Sequence, residues 1–360
     1  TRNGPLISED PPVSLAWTAH RAESSGIDAL FELNLATDWA SAGAALDRFA
    51  APSANLTYAD IDGHIGFRTV GLLPVRGRGE GLLPQRGDEV EATWQGTVPM
   101  VELPRLFDPP RGFVAAANAR VNRRGEGPLV SADNAPGYRM RRISTVLGAG
   151  SNHTPHAMRA LQMDWHNTQA ERVLPNLMAA LDGAVLEGAA AVAHGLLLDW
   201  QGRPLSVPER AAPLIFERWY LKLAEAVFAE RLGGELWQRL LRRNYVLNQA
   251  LDSLILGPAD SPWWRGERDA MVREGFLAAI DALEGDLGDE PVRWRWRARH
   301  AVHLDHELGK AQLLLGLWLN RGPFPWGGGT ATVARAGYRY DRPGVVNHGA
   351  TVRVVAEMTT

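Results

Sequence analysis

Residues 56–70 read LTYADIDGHIGFRTV, and this stretch contains the clearest local folding signal in the chain. Two runs rich in β-branched and aromatic residues, 56–60 and 65–70, flank the pair Asp62-Gly63. An Asp-Gly pair between two such runs is typical of a β-hairpin, because glycine readily adopts the backbone angles of a tight turn. The sequence therefore predicts two antiparallel strands here.

The remainder of residues 1–134 is also punctuated by Gly, Pro and Asp, with short apolar runs between them. The run FVAAA at 113–117 follows Gly112 and predicts another strand. A helix is predicted over 39–49. We interpret residues 1–134 as a part of the molecule built mainly from strands and loops.

The pattern changes near residue 135. Apolar residues then recur at intervals of three and four over 138–147, 157–163 and 170–181, which is the period of an α-helix. The sequence therefore predicts a mainly helical region over 135–290.

Glycine and proline return over residues 291–360. The run ATVRVV at 350–355 alternates β-branched residues with others and predicts a C-terminal strand. Strands, then a helical region, then a return to strands define an α+β fold class.

Composition excludes several classes of protein. The chain has 360 residues, a formal net charge of −3 and 45% hydrophobic residues, which is typical of a folded globular protein. It has no basic stripe for nucleic acid and no apolar run near the roughly 20 residues of a membrane span. Because it has no cysteine, disulfides, thiolate metal sites and a cysteine nucleophile are excluded, while the cellular compartment stays open.

Two kinds of side chain suggest alternative sites. His300, His303 and His306 lie three residues apart, a spacing that would place neighbouring pairs on one helix face as zinc ligands. Asp60 and Asp62 resemble the paired carboxylates of a carbohydrate-active enzyme, although a turn explains them better. All these residues also have ordinary structural explanations.

Thr1 is a candidate nucleophile on chemical grounds alone. An N-terminal threonine can attack a carbonyl group while its own α-amine accepts the proton. Most chains begin with a residue that has no such role.

Several longer motifs carry a resemblance to a known family. They are YADIDGHIG at 58–66, GLLPVR at 71–76, WQG at 94–96, GFVAAAN at 112–118, GYR at 137–139 and GATVR at 349–353. Taken together, the chain resembles the β subunit of the penicillin acylase (penicillin amidase) family. The resemblance is dense over 1–147, thin over 148–290 and moderate after 291. It implies part of the four-layer αββα core of an N-terminal-nucleophile hydrolase, with a mainly helical insertion.

The resemblance also implies a reaction. Members of the family hydrolyse the amide bond of N-acyl compounds such as penicillins, cephalosporins or acyl-homoserine lactones through an acyl-enzyme. Their nucleophile is a serine whose own α-amine acts as the base. Asn118 corresponds to the asparagine that donates to the oxyanion, and Arg142 corresponds to the arginine that steadies that asparagine.

Cofactor, partner and location expectations follow from the same resemblance. No cofactor is required for catalysis, but some relatives bind a structural Ca²⁺ at positions that correspond to Asp133 and Pro74. The partners would be the remaining α and β segments of the same precursor and a small N-acyl substrate, with no nucleic acid and no membrane. Family members are usually exported, which implies a periplasmic or secreted protein.

This chain also departs from the family pattern. The resemblance places the nucleophilic serine outside these 360 residues, maps Thr1 onto an interior position and puts Asn3 where relatives have histidine. We therefore expect an internal piece of an acylase that is inactive alone. The alternative is a non-catalytic α+β module that binds a ligand or a partner.

Overall fold

A computed structural model describes residues 1, 3–20, 26–123, 125–150 and 153–358. The chain forms two compact units. Unit 1 comprises Thr1–Met140, Leu147–Ser151 and Ala356–Thr360, and unit 2 comprises Arg141–Val146 and Asn152–Val355. Strands are concentrated in unit 1 and helices in unit 2, which confirms the α+β class.

Unit 1 begins with a series of short elements. In chain order they are β1 (Leu6–Glu9), β2 (Pro12–Ser14), α1 (Gly26–Leu33), α2 (Trp39–Leu46), β3 (Ala54–Ala59), β4 (Ile65–Val70), β5 (Pro74–Arg76), β6 (Trp94–Thr97) and β7 (Arg105–Phe107). Helix α3 (Tyr138–Gly148) has residues in both units. Strands pair antiparallel as β1 with β2, as β5 with β6, and as a three-stranded sheet in the order β3-β4-β7.

The predicted hairpin is confirmed. Strands β3 and β4 pair in continuous register from Ala54 opposite Val70 to Ala59 opposite Ile65. The Asp60 carboxylate closes the turn by accepting from the His64 backbone N–H at 2.8 Å. Strand β4 is the buried centre of the sheet because it has a neighbour on each side.

Unit 1 has a small apolar core. Its buried cluster consists of Ala29 of α1, Leu46 of α2, Val70 of β4, and Phe49, which follows α2. Helix α2 matches the helix predicted near 39–49. It begins at a capping box in which the Asp38 carboxylate accepts from the Ser41 backbone N–H at 2.7 Å, an arrangement that satisfies a donor at the helix start.

Two predicted strands are wrong. Residues 113–117 and 350–355 are both irregular. A strand needs a neighbour that accepts and donates its backbone hydrogen bonds, and among the described residues neither run has one. Just before the second run, β12 (His348–Gly349) pairs with β10 (Ala336–Gly337).

The helices of unit 2 form most of that unit. They are α4 (Pro155–Gln162), α5 (Thr168–Ala179), α6 (Gly188–Gln201), α7 (Ala212–Leu241), α8 (Asn244–Leu256), α9 (Arg268–Leu287), α10 (Glu307–Ala311) and α11 (Leu313–Leu319). Helix α7 is kinked at Gly233, whose φ of 71° lies outside the helical range. The helical periodicity read over 138–181 is confirmed by α3, α4 and α5.

Unit 2 packs around one large buried cluster. Trp200 of α6, Phe216 and Trp219 of α7, and Phe276 of α9 are among its most buried members. A second sheet has the order β11-β8-β9, formed by β8 (Ala301–Leu304), β9 (Arg321–Pro325) and β11 (Val345–Val346).

Candidate active site

Asn118 lies in the irregular segment between β7 and α3. Its φ is 59°, a left-handed conformation that asparagine adopts more readily than most residues. Its backbone carbonyl accepts from the Ala135 N–H at 2.9 Å. The residue is exposed, so its side-chain amide is open to solvent.

Arg139 fixes the orientation of that amide. Its Nη2 donates to the Asn118 Oδ1 at 3.0 Å and to the Ala117 carbonyl at 3.0 Å. A primary amide accepts through its oxygen and donates through its nitrogen. Because the cation binds the oxygen, the Nδ2 hydrogens are the groups that Asn118 presents to a ligand.

Arg142 lies one helical turn further along α3 and binds a different partner. Its Nε and Nη2 each lie 2.7 Å from the Asp164 Oδ2. The other oxygen of Asp164 accepts from the His166 backbone N–H at 2.7 Å. Arg142 therefore ties α3 to the segment that follows α4.

The contact with the Asn118 amide is thus made by Arg139, whereas the sequence predicts this role for Arg142. The motif GYR at 137–139 contained the available signal, because it includes this arginine at the first turn of α3. The role assigned to Arg142 stays a prediction.

The two residues expected at a calcium site supply few oxygens. Pro74 begins β5, and Asp133 lies in a loop where its N–H donates to the Ser131 hydroxyl at 3.1 Å. Ca²⁺ takes six to eight oxygen ligands. Within the residues that the structure describes, no group of three or more His, Cys, Asp or Glu residues could hold a metal ion. These residues do not by themselves fit the ion, and calcium binding stays a prediction.

The three histidines do not share a helix face, so the arrangement considered for zinc ligands is not formed. His300 precedes β8, His303 lies within β8, and His306 caps the start of α10. The ring nitrogens of His300 lie 2.7 Å and 3.1 Å from the backbone carbonyls of Trp326 and Ala336. Burial lowers the pKa of His300. This buried ring therefore has a structural role.

Asp60 serves the hairpin turn. Its Oδ2 accepts from the Tyr58 hydroxyl at 2.8 Å, while its Oδ1 accepts the His64 N–H already described. Burial and the neighbouring Asp60 raise the pKa of Tyr58 to about 12. These contacts support the turn interpretation of the carboxylate.

Among the helices in the described parts of the chain, none combines the length and the apolar character that crossing a bilayer requires.

Sequence comparisons identify relatives that are acylases. The acyl-homoserine lactone acylase QuiP of Pseudomonas fluorescens Pf-5 is 26% identical over 387 residues, which cover all of this chain and 46% of that protein. The penicillin acylase 2 proenzyme of Pseudomonas sp. SE83 is 29% identical over 209 residues, which cover 56% of this chain and 26% of that protein. The chain thus spans about half the length of the QuiP relatives.

A structural comparison shows the same fold. A thermostable penicillin G acylase from Alcaligenes faecalis superposes with a TM-score of 0.66 and 17% identity, covering 82% of this chain and 58% of that one. The penicillin amidase family model matches residues 1–360. The α+β architecture and a match along the whole sequence agree, and the chain belongs to the penicillin amidase family.

Proposed function

We propose that this chain is part of an acylase that hydrolyses the amide bond of N-acyl compounds through an acyl-enzyme, with Asn118 as a donor to the oxyanion. Family membership and the acylase relatives support the reaction class. The structural observation that supports Asn118 as the oxyanion donor is the hydrogen bond from Arg139 to the Asn118 Oδ1.

That hydrogen bond suits the amide to its role. Attack on a carbonyl carbon places negative charge on the carbonyl oxygen, and a donor already aimed at that position stabilises the transition state. The guanidinium at Oδ1 prevents the amide from presenting its oxygen instead. It also polarises the amide, which strengthens donation from Nδ2.

The chemistry needs groups from outside these 360 residues. The resemblance places the nucleophilic serine and its α-amine there, so we propose that the chain does not turn over substrate by itself. An oxyanion donor stabilises a charge that forms only after nucleophilic attack. The partners in this proposal are the remaining segments of the same precursor.

The substrate class follows from the relatives' names. QuiP is named for acyl-homoserine lactones and the SE83 proenzyme for penicillin. Both name small N-acyl compounds, which we propose as the substrates here. We also propose that the protein is periplasmic or secreted.

The variant Asn118→Ala of the complete protein tests the proposed oxyanion role. We expect kcat toward an N-acyl substrate to fall about 10²–10³-fold with little change in KM, which is typical of losing one oxyanion donor. Asn34→Ala removes an exposed loop amide of the same unit and serves as the matched control.

The outcomes separate the parts of the proposal. Full activity in Asn118→Ala would exclude the oxyanion role. Turnover by the purified 360-residue chain would contradict its dependence on further segments.

A further inference from the structure

Helix α11 presents an apolar face to solvent. Leu313, Leu314, Leu317 and Trp318 are each between 77% and 82% exposed. Their spacings of one, three and four residues place them together on one side of the helix. A contiguous apolar patch of this kind is rare on a soluble protein unless something binds it.

The apolar face belongs to a well-defined helical hairpin. Helices α10 and α11 contact closely through Gly309 and Gly316, where an added Cβ on Gly316 would lie 2.9 Å from the Gly309 carbonyl oxygen. The Asn320 Oδ1 after α11 accepts from the His306 N–H before α10 at 2.9 Å. Because the glycines and Asn320 hold the inner side, the leucines are directed outward by the fold itself.

The exposed leucines do not serve the core of unit 2. No residue of α10 or α11 belongs to the large buried cluster described above. The hairpin instead connects β8 to β9, and β9 is one of the two edge strands of its sheet. Pro323 and Pro325 lie in β9 and lack the N–H that an added strand would require. This edge of the sheet is therefore unsuited to pairing with an added strand.

We propose that the apolar face of α11, formed by Leu313, Leu314, Leu317 and Trp318, docks onto a segment of the same acylase precursor that lies outside these 360 residues. Matching sequence covers only 46% of the QuiP relative and 58% of the superposed acylase. Chains of this family therefore contain enough further polypeptide to bury such a face. The proposal rests on the proposed function, which requires those same segments.

The surroundings of the face favour a protein partner over a bilayer. Helix α11 has seven residues, about 10 Å at 1.5 Å per residue, far short of a membrane span. Its flanks carry Asp305 and Glu307 as well as Lys310 and Arg321. A helix that binds a membrane surface usually has a predominantly basic polar face.

Hydroxyl-radical labelling, read residue by residue by mass spectrometry, tests the proposal. The complete protein and the 360-residue chain are labelled in parallel. We expect oxidation of Leu314, Leu317 and Trp318 to be at least about tenfold slower in the complete protein, as for side chains buried in an interface. Val185, which is 88% exposed in the loop before α6, is the internal control and should label at the same rate in both.

Equal labelling of the α11 face in both proteins would overturn the proposal. Protection that instead rises with the concentration of the 360-residue chain would identify a second copy as the occupant, and would overturn it too. Protection that appears only on adding vesicles of phosphatidylglycerol and phosphatidylethanolamine would identify a bilayer, with the same consequence.

A variant gives an independent measurement. Leu314→Gln/Leu317→Gln should leave the folding of the 360-residue chain unchanged but reduce the recovery of folded complete protein about tenfold, whereas Val185→Gln should not. Labelling and recovery do not depend on turnover. If the complete protein is inactive but its α11 face is protected, only the proposed function is contradicted. If it is active but its α11 face is unprotected, only the docking proposal is contradicted.

Discussion

Units 1 and 2 are stabilised in different ways. Unit 2 buries a large cluster of aromatic and aliphatic side chains contributed by its helices, whereas the cluster of unit 1 has four buried members. Apolar burial is the main favourable term in folding. Unit 1, which presents Asn118, therefore depends more on polar contacts such as the α2 capping box and the bond from Arg139.

Their ionisable groups also differ. In unit 1, the half-buried Asp60 and the exposed Asp108 accept hydrogen bonds that lower their pKa values. In unit 2, burial raises the pKa of Glu217 to about 7 and raises that of Asp252 well above its usual value. A small core leaves charged groups in water, whereas a large one holds acids in their neutral form. The two units should therefore respond oppositely to pH.

The largest expected effect tests the core of unit 2. Trp219→Ala removes a fully buried ring whose Nε1 donates to the Val272 carbonyl at 2.9 Å. We expect the free energy of unfolding to fall by about 3–5 kcal/mol, measured by urea denaturation. Trp318→Ala makes the same substitution at an exposed site in the 360-residue chain, where the effect should be small. Equal losses in both variants would show that burial in the large cluster of unit 2 does not set the size of the effect.

The next effect concerns the buried acid of unit 2. Glu217 accepts from the Tyr338 hydroxyl, and burial outweighs that bond in raising its pKa. A carboxyl whose pKa is higher in the folded state adds stability below its unfolded value, near 4.5, and loses it as pH rises through about 7. The loss by pH 8 is at most about 3 kcal/mol.

Glu217→Gln should remove this loss. Urea denaturation at pH 5 and pH 8 should show a smaller difference in unfolding free energy for the variant than for the wild type. Glu225→Gln changes an exposed carboxyl on the same helix and should keep the wild-type difference. An unchanged pH dependence in Glu217→Gln would show that this carboxyl is ionised in the folded protein.

A third prediction separates the two arginines of α3. In the complete protein, Arg139→Ala should lower kcat about 10–100-fold, the value of one charged hydrogen bond, with little change in KM. Arg139→Lys should keep part of the wild-type kcat, because lysine retains the positive charge. Arg142→Ala should instead reduce stability, because it leaves the carboxylate of Asp164 without its cation. The role assigned to Arg142 from sequence predicts the reverse, so kinetics and denaturation of both variants decide between them.

The arginine pair shows where sequence reasoning reaches its limit. The hairpin of β3 and β4 was predictable because its turn and alternating pattern are local. The helices of unit 2 were predictable because their apolar period is local as well. Which of two arginines one turn apart reaches Asn118 depends on how the first turn of α3 is oriented, and no spacing rule encodes that.

The two wrong strands have a similar cause. FVAAA at 113–117 and ATVRVV at 350–355 have suitable composition, but a strand forms only where a distant segment pairs with it. The histidine spacing fails likewise, because intervals of three residues indicate a common face only if the segment is helical. Residues 301–304 form a strand instead.

The smallest expected effect tests the exposed groups of unit 1. The His64 Nδ1 lies 2.6 Å from the Asp108 Oδ2, and this contact raises the pKa of His64. The Ile65 N–H and His64 lower the pKa of Asp108. The stabilisation from protonated His64 is therefore lost as pH rises through its raised pKa, and that from Asp108 is lost as pH falls through its lowered pKa. Both groups are exposed, so solvent screens the pair.

Amide-exchange protection of Ile65 should thus be greatest between the two pKa values, and His64→Gln should abolish its decline on the alkaline side. A decline that persists in His64→Gln would mean that the pair contributes nothing to the pairing of β4 with β7, and that unit 1 relies on its small core after all.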